Sequence, residues 1–94
     1  MAKVDLVFVA QRARDADFYR EKYSPGTDDE HRADVSIDPS FEIRNELIKL
    51  AGQYEEAKKW ERFHRETYGP GTDDEARYAK QASEIQAKAD ALKS

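Results

Sequence analysis

The chain has 94 residues with 38% charged and 38% hydrophobic positions, a mass of 10.8 kDa and a mean hydropathy of -1.01. A single small domain of this length buries only about 60–65% of its unfolded surface, so its core is thin and apolar faces are drawn into partner contacts. Sixteen basic against twenty acidic residues give a net charge of -4, which disfavours nucleic acid as a partner without making the chain a strongly acidic mimic of it.

The first element is an apolar run, Val4, Leu6, Val7, Phe8 and Val9, continued by Ala13, Ala16 and Tyr23 in helical phase with Leu6 and Val9. It reads as an N-terminal helix. The alternative is an α+β arrangement in which residues 3–10 form an edge strand. The run is apolar on every side and exceeds what one small domain is expected to cover. Leu6, Phe8 and Val9 are therefore expected to form the seam with another copy of the chain or with a partner. The longest unbroken stretch, Leu6 to Ala10, is too short for a membrane span or a signal-peptide core, and a cytoplasmic protein with no membrane partner is expected.

Pro25-Gly26 suits the centre of a type II turn, because Pro presets φ and Gly supplies φ > 0. Thr27 then stands at a helix N-cap and Glu30 completes a capping box. The helix that follows is expected to be short, Thr27 to Asp34, with Val35 to Pro39 as a connector. A long helix is predicted over residues 38–68, capped by Asp38 with Pro39 at its first position. Its seam alternates steps of four and three: Ile43, Leu47, Leu50, Tyr54, Ala57, Glu61, His64 and Tyr68. Gly52 inside it marks either a close-packing point or a slight bend. Gly69 ends this helix, Pro70-Gly71 makes a second turn, and Thr72 and Glu75 form a second capping box. The last helix, 72–93, carries Tyr78, Ala82, Ile85, Ala89 and Leu92 on one face. With so short a turn, 38–68 and 72–93 form an antiparallel hairpin. The expected fold is an all-α bundle in one domain, 1–94, completed by oligomerisation.

An internal duplication ties these elements together. Residues 18–34 and 63–79 are identical at 11 of 17 positions at an offset of 45: Phe18/Phe63, Arg20/Arg65, Glu21/Glu66, Tyr23/Tyr68, the six residues of PGTDDE, and Arg32/Arg77. Such a repeat means helix, tight turn, helix, twice over, and two equivalent corners allow a pseudo-twofold arrangement. Identity of the arginines beyond the turn itself points to more than a reused turn.

The chemistry of the chain is sparse. Without cysteine there is no disulfide framework, thiolate zinc site or cysteine nucleophile. Adjacent carboxylates in Asp-Asp-Glu point in different directions around a helical first turn, where they complement the helix dipole instead of converging on an ion. His31 and His64 stand at non-equivalent places and make no metal-ligand spacing. Ser24, Ser36, Ser40 and Ser83 lie in no nucleophile elbow, and no glycine-rich phosphate loop occurs. Lysines and arginines of the long helix alternate with glutamates three or four residues away, as on a solvated face. No enzyme activity, metal or cofactor is expected.

Eight of the ten aromatics, Phe18, Tyr19, Tyr23, Tyr54, Trp60, Phe63, Tyr68 and Tyr78, gather towards the two turns. Arginine beside tyrosine and tryptophan is the composition of protein-binding hot spots. Arg20, Tyr23, Arg32, Trp60, Phe63, Arg65, Tyr68 and Arg77 are thus the candidate partner-binding residues. The expected function is a non-catalytic interaction module acting as a homo-oligomer. Two alternatives stand beside it: a small phage or prokaryotic protein that inhibits a larger host enzyme or defence complex, and a binder of a small anionic, nucleotide-like ligand at an oligomer interface.

Overall fold

The computed structural model describes residues 3–93, which form four helices: α1 (Leu6–Tyr23), α2 (Asp28–Ile37), α3 (Phe41–Tyr68) and α4 (Asp73–Lys93). α1 and α2 make one hairpin, α3 and α4 a second and longer one, and α1 lies on the N-terminal half of α3. The Cα trace measures 46 × 32 × 15 Å. Its long dimension matches the roughly 42 Å of a 28-residue helix, and its thinness means that most helices have a face with nothing beyond it. No helix among the described residues is long and apolar enough to cross a membrane.

Residues 3–10 contain no strand. The signal that decides for helix is Asp5, whose carboxylate accepts the N–H groups of Val7 and Phe8 at 3.1 Å each and so caps α1. The apolar run is also better covered than its composition suggests: Leu6 and Val9 are 1% and 3% exposed, packed in a cluster with Ile37, Leu47, Leu50, Ala51 and Ala89. Only Val7 and Phe8 remain at the surface.

The expected connector is a second departure. α2 runs through Val35 and Ser36 to Ile37, whose side chain belongs to the core, because burying Ile37 against Leu47 outweighs the weak helix propensity of a β-branched pair. Asp38 accordingly does not cap α3 by donating its place at the N-cap; that position is Ser40, which makes no side-chain cap hydrogen bond. Asp38 closes α2 instead, accepting the Ser40 N–H at 2.7 Å and the Lys93 ammonium at 2.7 Å. The ammonium and the backbone N–H hold its carboxyl below the usual range.

Gly52 packs against nothing: a Cβ there would meet no atom within 4 Å. The close-packing explanation therefore fails, and α3 continues through it unbroken. Across the seam of α3, Leu47, Leu50, Ala57 and Glu61 are buried, while Tyr68 at its end is 65% exposed. On α4 the buried residues are Ala82 and Ala89, so the two long helices approach over small side chains.

Candidate interaction surfaces

The two corners share their turn geometry and their threonine cap. Gly26 and Gly71 have φ of 89° and 90°, as the second central residue of a type II turn requires. Thr27 Oγ1 accepts the Glu30 N–H at 3.2 Å, and Thr72 Oγ1 accepts the Glu75 N–H at 3.2 Å. Glu30 reaches back to the Gly26 N–H at 2.9 Å, one residue earlier than the usual reciprocal bond of a capping box. That bond, reinforced by Arg20, keeps the Glu30 carboxyl below its ordinary range.

The repeated arginines belong to these corners. Arg20 Nε lies 3.2 Å from Glu30 Oε1 and Arg65 Nε lies 3.5 Å from Glu75 Oε2, each joining the end of one helix to the start of the next. Arg20 also meets Asp17 at 2.8 Å, and Arg65 meets the buried Glu61 at 2.9 Å. Arg32 and Arg77 pair with the second aspartate of their own Asp-Asp-Glu runs, Asp29 at 3.7 Å and Asp74 at 3.1 Å. All four thus face carboxylates within the chain.

The aromatics repeat as well. Phe18 stands edge-on to Tyr19 (5.6 Å, 71°), which stacks on Tyr23 (6.2 Å, 25°). Phe63 stands edge-on to His64 (5.5 Å, 85°), which stacks on Tyr68 (5.5 Å, 28°). The second corner adds Tyr78, stacked on the other side of His64 at 5.4 Å and 22°. Asp74 lies 4.0 Å from His64 Nδ1. Tyr23, Phe63 and Tyr68 keep about half or more of their surface open (52%, 46% and 65%).

A third feature arises only where two helices meet. A groove of about 750 Å³ runs between α3 and α4 and is lined from those two helices alone. Ile48, Trp60, Tyr78 and Ile85 supply its apolar walls, with Gly52 exposed among them. Trp60 donates its indole N–H to Glu56 at 2.8 Å, which fixes both side chains on this face. Its sequence signature is Lys49, Gly52, Glu56, Trp60, spaced three, four and four along one helix face.

Of the expected seam, Phe8 lies at the surface beneath the Arg12 guanidinium, 5.2 Å from its ring centroid, whereas Leu6 and Val9 are spent on the core. Among the described residues no three His, Asp or Glu side chains are placed to hold a metal ion. No protein-family model matches the chain, and comparison with curated proteins and with solved structures finds no significant match.

Proposed function

We propose that this protein is a non-catalytic interaction module that works as a homo-oligomer. The observation that carries this reading is the unfinished state of its apolar surface. In a molecule whose Cα trace is only 15 Å thick, Val7, Phe8, Phe18, Phe41, Phe63 and Tyr68 are left 39–66% exposed, while its two long helices meet over alanines. Apolar area of that extent in so small a fold is removed from water most simply by another copy.

The small-anion alternative has weaker support. Arg20, Arg32, Arg65 and Arg77, the cations that would hold a phosphate, each already face a carboxylate 2.8–3.7 Å away. An incoming anion would first have to displace these partners.

The test is native mass spectrometry at neutral pH, supported by sedimentation equilibrium across a concentration series. A multimer free of extra mass is expected. A monomer of 10.8 kDa at every concentration would overturn the reading, and a multimer carrying a few hundred daltons of bound material would favour the ligand-binding alternative.

A further inference from the structure

We propose that the groove between α3 and α4 is the self-association surface, and that a second copy of the chain occupies it with its own groove, lying antiparallel about Gly52. This rests on the homo-oligomer reading above and assigns one interface to it; the exposed Val7, Phe8, Phe18, Phe41, Phe63 and Tyr68 lie outside the groove and are not covered by this contact.

The first support is the order of charges along the groove. Lys49 stands three residues before Gly52 and Glu56 four residues after it, and both line the groove. Their midpoint falls between residues 52 and 53. A twofold axis through that point, lying in the interface and perpendicular to the helices, sets Lys49 of each copy over Glu56 of the partner subunit. The pairing is reciprocal, as an isologous contact requires. Lys88 of α4 lies at the same end as Lys49, because Lys93 reaches back to Asp38 beside the start of α3. Tyr78 lies at the other end with Trp60, next to His64. Antiparallel docking therefore brings the ammonium groups of one copy towards the aromatic end of the other, an attractive arrangement.

The second support is Gly52. Glycine lowers the stability of a helix interior, and here its missing side chain relieves no contact and permits no unusual φ within the chain. What it does provide is a low point at the middle of the groove, where a second backbone can approach. Two hairpins joined in this way make an antiparallel four-helix bundle, the usual solution for a helical pair with one open apolar stripe.

The chain contains no cysteine, so a single introduced thiol reports on geometry. Gln53→Cys lies beside the axis and is expected to give a covalent dimer on mild oxidation, while Gln11→Cys, exposed on α1, stays monomeric on a denaturing gel. Lys49→Glu or Glu56→Lys each breaks two pairs by symmetry and should raise the dimer dissociation constant about tenfold. Combining the two substitutions should restore it. Circular dichroism of every variant confirms that the helices are retained. A dimer that persists without the Gln53→Cys crosslink and ignores the charge exchange overturns this interface while leaving the homo-oligomer reading standing. A monomer overturns both.

Discussion

Ser24 and Gly69 occupy the same place in the two corners and adopt the same backbone conformation, with φ and ψ of 82° and 154° for Ser24 and 85° and 164° for Gly69. This region is nearly closed to residues with a Cβ, at a cost of about 1–3 kcal/mol. The turn geometry imposed by Pro-Gly overrides the preference of serine. Ser24→Gly is therefore expected to stabilise the fold by about 1 kcal/mol or more, raising the melting temperature by about 4–8 °C. The reverse change, Gly69→Ser, should lower it comparably. Thermal unfolding of both variants checks the pair, and an unchanged midpoint in each would refute the strain.

Gly71→Val probes the following position. At φ 90° a β-branched side chain is strained, and a loss of about 1 kcal/mol or more is expected. Urea unfolding that leaves the midpoint in place would show that the second turn is not held as described.

The two corner arginines should not be equally important. Arg20 serves Glu30 and the exposed Asp17, whereas Arg65 serves Glu75 and also Glu61, which is only 6% exposed. Removing Arg65 leaves Lys58, at 3.1 Å, as the only cation among the described residues paired with that buried carboxylate. Arg65→Ala is expected to destabilise by about 1–3 kcal/mol and Arg20→Ala by about 1 kcal/mol or less. Equal losses in chemical denaturation would contradict this ranking.

Acid should loosen the fold at identifiable carboxylates. Asp38, held by Lys93 and the Ser40 N–H, Asp90, held by the Val4 N–H, and Glu30, held by the Gly26 N–H, all titrate below their ordinary values of 3.8 for aspartate and 4.5 for glutamate. A depressed folded value stabilises the fold above the unfolded value and ceases to do so as pH falls through the folded one. Stability is thus expected to be flat above the ordinary carboxylate range and to decline below it. Asp38→Asn should remove part of that decline, read from melting curves between neutral pH and pH about 3.

Much of the helical plan was legible because local chemistry states it twice. Proline, glycine, threonine and glutamate at fixed offsets define both corners, and the alternating seam of α3 predicts the burial of Leu47, Leu50 and Ala57. Asp5 breaks the apolar pattern between Val4 and Leu6, and the structure gives it the role of the cap that starts α1. Ile37 could not be assigned locally, since only Leu47 and the rest of the core, brought close by the fold, give it a reason to be helical. The pairing of Arg20 with Glu30 and of Arg65 with Glu75 is not legible locally either, because each pair joins two helices across a turn. The groove escaped notice because it needs two helices to exist, although the face carrying Lys49, Gly52, Glu56 and Trp60 was there to read.

The copies also diverge in an orderly way. Ala16 and Ala33, buried in the first hairpin, correspond at the same offset to Glu61 and Tyr78 in the second, as Tyr19 corresponds to His64. The first hairpin keeps small contacts, whereas the second holds a buried carboxylate and a three-ring stack at its outer end. One scaffold has thus been fitted with two different corners.

The Val4 N–H donates to Asp90 at 2.8 Å, and Gln86 donates to the Val4 carbonyl at 2.6 Å. A ribosome makes residue 4 long before it makes residue 90, so α1 is complete while the groups that clamp its entrance do not yet exist. Until then Leu6 and Val9 lack part of their cover, Ala89 included. The clamp on the start of α1 thus joins the two ends of the described chain and is made only once α4 is in place.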